Sequence, residues 1–122
     1  MDMRVLIIDR TYLVAMDVEN ILKSSMPCEV SIGTPASLED HLREQSFTAV
    51  ILESDAFGPD LPEAVNAVLM AGAALIFLTT NSAFMGGIPG QERYPVLLKP
   101  FSDHQFQDIV AGVFAPLSAP AA

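Results

Sequence analysis

Six residues spread along the chain carry groups that could act together: Asp9 and Arg10 end the first apolar run, Glu53 the second long one, Thr79 the third, and Lys99-Pro100 the last. Carboxyls, a hydroxyl and cations of this kind compose most of a site that handles phosphate and a hard metal ion. They meet only if the runs they end are parallel strands of one sheet, whose carboxyl ends open on a common edge. Asp55, two positions beyond Glu53, is a further acid. A two-residue slip would bring Asp55 toward that edge but would bury Glu53 inside a strand. Glu53 is therefore read as the strand-end acid and Asp55 as a solvated loop residue.

The elements that must position these groups are legible as apolar runs. Val5-Leu6-Ile7-Ile8, Ala49-Val50-Ile51-Leu52 and Ala74-Leu75-Ile76-Phe77-Leu78 are continuous, the pattern of strands covered on both faces. Cys28-Glu29-Val30-Ser31-Ile32 and Val96-Leu97-Leu98 read as two shorter strands. Between the first two strands, Leu13, Met16, Val18, Ile21 and Leu22 recur near helical spacing, with Thr11 placed to cap the start. Ser37 with Asp40 has the order of a capping box and opens a short helix to about Gln45. Residues 54–60, with Gly58-Pro59, read as a loop before a helix from Pro62 to Ala71, where the proline suits the first turn. Gly86-Gly87-Ile88-Pro89-Gly90 argues against a regular helix between the fourth and fifth strands. Ser102 is placed to cap a final helix with an apolar stripe of Phe106, Ile109, Val110 and Val113. Residues 115–122 read as a flexible tail beyond a domain spanning 1–114.

Strands alternating with helices imply an α/β fold, a parallel sheet with right-handed crossovers and helices on both faces. At 122 residues and 51% hydrophobic, the chain suits one domain with a single core. Fifteen acidic against six basic side chains give a net charge of −9, which repels nucleic-acid backbones and anionic lipid and leaves a protein surface as the expected partner. The single cysteine, Cys28, is read as a small core residue. The absence of an internal disulfide, of a signal peptide and of a membrane-length apolar run points to the cytoplasm. His41 and His104 have no partners at metal-ligand spacing and are read as exposed. Met16, Met26, Met70 and Met85 are read as gap-fillers. No P-loop, glycine-rich nucleotide fingerprint or Ser-His-Asp order occurs, and an enzyme is not expected.

The order Val5-Leu6-Ile7-Ile8-Asp9, Ala49-Val50-Ile51-Leu52-Glu53, Phe77-Leu78-Thr79, Leu98-Lys99-Pro100-Phe101 resembles a response-regulator receiver domain, the CheY-like phosphoacceptor module of two-component signalling. Within receivers the chain is most similar to the alphaproteobacterial single-domain group called FAT GUY. Phe77-Leu78-Thr79-Thr80-Asn81 keeps that group's Phe and Thr but replaces its Gly and aromatic, and Val96 stands where many receivers carry a switching aromatic. The resemblance implies a flavodoxin-like sheet of strand order 2-1-3-4-5, an irregular fourth helix and a cis Lys99-Pro100 bond. It also implies a pocket in which two acids at the first strand end hold Mg²⁺, an aspartate at the third accepts the phosphoryl group, and Thr79 and Lys99 engage its oxygens.

Against that pattern, Asp9 matches the first acid, but Arg10 stands at the second and Glu53 at the phosphoacceptor. A guanidinium cannot ligate a metal. Arg10 and Lys99 instead supply two cations to neutralise Asp9 and Glu53 without Mg²⁺. The expected function is an atypical receiver that binds a histidine kinase, phosphotransfer protein or output protein, as monomer or homodimer, without aspartyl phosphorylation or a cofactor. Two other readings are a phosphorylatable single-domain regulator using Asp55, with Mg²⁺ in a competent pocket, and, trailing these, a small-anion or flavin-binding protein.

Overall fold

Val5 to Ile8 are apolar at every position because helices cover both faces of their strand. The computed structural model describes residues 3–99, 103–109, 112 and 113. Its strands are β1 (Met3–Ile8), β2 (Cys28–Gly33), β3 (Ala49–Glu53), β4 (Ala74–Thr79) and β5 (Val96–Leu98); its helices are α1 (Tyr12–Ser25), α2 (Leu38–Glu44), α3 (Leu61–Met70) and α4 (Asp103–Ile109). All strands are parallel and the order is β2-β1-β3-β4-β5, the doubly wound arrangement anticipated for the chain.

The two-residue period of the strands divides the core into two layers. Val5, Ile7, Ala49, Ile51, Ile76 and Leu78 face α1 and α4, meeting Ala15, Val18, Leu22 and Phe106. Leu6, Ile8, Val50, Leu52, Leu75 and Phe77 face α2 and α3, meeting Leu38, Val65 and Val68. Connections leave the sheet in opposite directions from β1 and β3, so the crevice at their carboxyl ends is the switch point where α/β sheets place their sites.

Local chemistry differs from the sequence expectation at two helix starts. Thr11 occupies the N-cap position of α1, yet its hydroxyl makes no cap bond; the Thr11 N–H instead donates to Asp9 Oδ1 at 2.8 Å. Ser37 does not cap α2; its hydroxyl accepts the Thr34 N–H at 3.0 Å, closing a short 3-10 turn over Pro35–Ser37. Residues 54–60 are two 3-10 turns, Ser54–Ala56 and Gly58–Asp60, joined through Gly58 at φ 52°, a left-handed conformation that suits glycine. At Gly33 the constraint is close approach: a Cβ there would come within 2.7 Å of His41 Nε2 and Ser37 Oγ, so those side chains would have to shift.

In the segment between β4 and β5, only Ser82–Phe84 forms a helical turn, a 3-10 one, so the described chain has no α-helix there. Ile88 is buried against the α2/α3 layer, with Phe84 and Tyr94 packed beside it. The expected Ser102 cap, the Lys99-Pro100 bond, Val110 and the tail at 115–122 lie outside the described residues. Met16, Met70 and Met85 are not gap-fillers but exposed, at 36%, 81% and 60%. No helix among the described residues is long and apolar enough to cross a membrane.

Candidate functional site

The carboxyl ends of β1, β3 and β5 bring four of the strand-end side chains into direct contact. Lys99, the residue after β5, is aligned by its backbone N–H, which donates to the Thr79 carbonyl at 2.7 Å. Its Nζ then reaches across β4 and β3 to donate to Glu53 Oε2 at 3.0 Å and Asp9 Oδ2 at 3.1 Å. From the opposite side the Arg10 guanidinium grips Glu53 with both arms, Nε to Oε1 at 3.1 Å and Nη2 to Oε2 at 3.2 Å, while the Arg10 backbone N–H adds a bond to Oε1 at 2.9 Å. Glu53 therefore receives four hydrogen bonds from two residues, and the extra methylene relative to aspartate lets its carboxylate span them.

Burial decides which of these contacts matter most. The side chains of Asp9, Glu53 and Lys99 are 0%, 4% and 9% exposed, whereas that of Arg10 is 57% exposed. The Lys99 bridge thus operates in a low dielectric and resists salt, while the Arg10 fork is screened by water. Burial of the Glu53 carboxyl pushes its pKa up, but the Arg10 side chain, the Arg10 N–H and Lys99 outweigh this and lower it from the ordinary 4.5 to about 2. The hydrogen bond to Glu53 in turn raises the Arg10 pKa.

A carboxyl whose folded pKa is depressed contributes stability that is complete above its unfolded value and vanishes as the pH falls through its folded value. Glu53 is accordingly expected to contribute stability that is present above pH 4.5 and lost as the pH falls toward 2. Urea midpoints measured from neutral pH down to 2 should fall more steeply for the parent chain than for Glu53→Gln; parallel curves would show that Glu53 makes no such contribution.

Thr79 does not join this cluster through its side chain. Fully buried at the end of β4, it directs its hydroxyl to Asp55, 3.1 Å from Oδ2 and 3.3 Å from Oδ1. The expectation that Asp55 is a solvated loop residue is corrected here. The 3-10 turn at Ser54–Ala56 carries the half-buried Asp55 back over β4 with no register slip, and Glu53 keeps its strand-end place, paired with Leu78. Asp55 Oδ2 also accepts the Thr80 N–H at 3.3 Å. Nothing in the apolar periodicity announces this contact, because a turn of that kind leaves no periodic trace. Pro100, the remaining predicted site residue, lies outside the described residues.

A cleft of about 640 Å³ opens beside the cluster, lined in part by Arg10, Thr11, Val14, Asp17, Glu53 and Lys99. The pocket is therefore reachable from solvent and is closed by charge rather than by shape. Its donor set does not suit a divalent cation: a hard cation needs several free oxygens, and the facing oxygens of Asp9 and Glu53 already accept bonds from Lys99 and Arg10. Among the described residues, no group of three His, Cys, Asp or Glu side chains is arranged to hold a metal. His41 is half-buried over Gly33 rather than exposed, and His104 is exposed, 3.9 Å from Asp108. Cys28 is half-buried and its thiol pKa is pushed up by burial, the opposite of an activated cysteine.

The sheet order, the helix layers and the crevice define a doubly wound α/β protein of flavodoxin-like type. Solved structures place it more narrowly: the chain has the fold of response-regulator receiver domains. It is similar to the signal receiver domain of an HD domain-containing protein from Pseudomonas fluorescens Pf-5, with a TM-score of 0.77, 13% identity, and 96% of this chain and 98% of that one covered. It is likewise similar to SdrG from Sphingomonas melonis Fr1, with a TM-score of 0.69, 24% identity and coverage of 97% and 98%; SdrG has also been solved in a BeF₃-activated conformation. A third similar structure is the receiver domain of the sensor histidine kinase PA1611 from Pseudomonas aeruginosa PAO1, which has a magnesium ion coordinated in its active-site cleft. The TM-score is 0.65 at 15% identity, covering 90% of this chain and 95% of that one. No protein-family model matches the chain, and no curated protein matches it significantly.

Proposed function

We propose that this chain is an atypical receiver domain of two-component signalling, of the FAT GUY kind, that works as a protein-interaction module and not as an enzyme. In this reading it needs neither aspartyl phosphorylation nor Mg²⁺. The observation that carries the reading is Lys99 Nζ bonded at once to Asp9 and Glu53 while Arg10 forks onto Glu53. Two cations and two carboxyl groups cancel formally, so the cluster has no charge for a metal to neutralise. A phosphoryl group on Glu53 would have to displace Arg10 and Lys99 and would have only a glutamate to join.

The receiver fold supports a protein as the partner, and the net charge of −9 argues against nucleic acid or a membrane. A histidine kinase, phosphotransfer protein or output protein would bind at β5, α4 and the segment from 81 to 94, with residues 1–114 acting as the domain, 115–122 as a tail, and the cytoplasm as the site of action.

The reading is tested by adding acetyl phosphate, or beryllium fluoride, with Mg²⁺ to the protein and following its amide NMR spectrum and its mobility on phosphate-affinity gels. The expected result is an unchanged spectrum and a single band. A saturable shift, or a hydroxylamine-labile adduct, would overturn it. One observation favours a second reading, in which Asp55 is the phosphoacceptor: its carboxylate touches Thr79 without any slip of register. An adduct mapped to Asp55 by mass spectrometry would establish that alternative.

A further inference from the structure

Beside the Glu53 cluster lies a second arrangement with its own logic. The Asn81 N–H donates to Thr79 Oγ1 at 3.1 Å. With that lone pair taken, the Thr79 hydroxyl is oriented to give its own proton to Asp55. The Thr80 N–H points the same way. A buried hydroxyl and an adjacent backbone amide that converge on one point make a small oxyanion-binding subsite, and here a carboxylate of the same chain fills it. The relay continues outward, because Asn81 Oδ1 accepts the Ala83 N–H at 3.0 Å and so starts the turn at Ser82–Phe84.

We propose that Asp55 is the built-in ligand of the Thr79–Thr80 oxyanion subsite, closing it to outside oxyanions and fixing the start of the 81–95 segment. The inference rests on the reading of the pocket as self-occupied and extends it: Glu53 occupies the cationic half, and Asp55 the donor half. Asp55 is a positioning residue, acting on the segment through Thr79 and Asn81.

The consequence is that removing Asp55 does two things at once. It leaves the Thr79 hydroxyl and the Thr80 N–H without an anion, and it loosens the relay that begins the segment. Asp55 is only half-buried and sits in a turn, so Asp55→Ala is expected to fold. Asp55→Asn keeps the shape and one strong acceptor, and serves as the second variant.

Inorganic phosphate titrated into each protein without metal, with the amides of Thr80, Asn81 and Ala83 observed by NMR, should give a saturable shift only in Asp55→Ala. Hydrogen exchange at the same amides should be roughly tenfold faster or more in Asp55→Ala, and closer to the parent rate in Asp55→Asn. The inference is overturned if the parent chain itself shows the saturable phosphate shift, or if titration and exchange in Asp55→Ala superimpose on the parent. Either failure leaves the phosphorylation test of the parent chain standing, since that test uses acetyl phosphate and Mg²⁺ and reads adduct formation on the unaltered protein.

Discussion

Replacement of Lys99 by Met is expected to cost about 3–5 kcal/mol of stability at neutral pH, the penalty typical of removing one partner from a buried ionic cluster. The loss exceeds that of a surface ion pair because Lys99 is the only described group that touches both Asp9 and Glu53. Without it, two buried carboxyl groups face each other with Arg10 alone beside them, and Arg10 is mostly in water. In Lys99→Met two buried carboxyl groups lose the cation they share, so keeping both charged becomes costlier and protonation relieves part of that cost. The deficit relative to the parent should therefore shrink on acidification, and adding Glu53→Gln to Lys99→Met should recover part of it at neutral pH. Urea denaturation at neutral and mildly acid pH measures both effects; a deficit independent of pH would show that packing of the lysine stem, not charge, is what was lost. An Arg10→Met variant should lose less, and its loss should fade with added salt.

The second large effect is expected at Phe77. Its side chain is fully buried in the α2/α3 layer, and its ring meets that of Tyr94 edge-on, centroids 6.0 Å apart at 84°. Its backbone N–H donates to the Pro95 carbonyl at 2.9 Å. Phe77→Ala is expected to cost about 3–5 kcal/mol through lost burial and the cavity left behind. The aromatic contact adds a local consequence: Tyr94 loses its anchor, so the segment from 81 to 95, which has little regular structure of its own, should become more open to proteolysis and hydrogen exchange. Phe77→Leu, which refills most of the volume but not the ring contact, should recover much of the stability while leaving Tyr94 looser than in the parent. Thermal unfolding, together with exchange at residues 81–95, separates the two. Equal protection of that segment in all three proteins would show that the Phe77–Tyr94 contact does not hold it.

The arrangement as a whole explains how a receiver fold keeps its site buried and polar without the charge imbalance that a metal would relieve. Buried carboxyl groups are destabilising unless paired and hydrogen-bonded. Glu53 and Asp9 meet both conditions through Lys99, Arg10 and the Thr11 N–H. Among the described residues, no buried side-chain nitrogen or oxygen lacks a hydrogen-bond partner.

How much of this was legible beforehand follows from the range of each interaction. Apolar runs reveal strands because burial on both faces is a property of each segment by itself. That is why the apolar runs locate β1, β3 and β4 within a residue or two and assign Asp9, Glu53, Thr79 and Lys99 to strand ends. The presence of Arg10 beside Asp9 was enough to suggest an internal cation. Helix starts are less legible: residue type marks Thr11 and Ser37 as caps, but the Thr11 hydroxyl makes no cap bond and the Ser37 hydroxyl bonds to Thr34, a partner set by the chain around it.

Periodicity does not record which strands become neighbours; the family resemblance alone implies the order 2-1-3-4-5 that carries Lys99 across β4 and β3 to Asp9, 90 positions earlier. What Asp55 meets is decided only by the tertiary structure. The turn after β3 brings Asp55 to Thr79 rather than into water, because the direction of a carboxylate on a 3-10 turn depends on what the adjacent strand presents to it. Residue types and local patterning were sufficient for the inventory of charges at the sheet edge. Which acid meets which donor required the packed sheet, since hydrogen bonds are satisfied within about 3 Å and only the assembled fold sets distances that short.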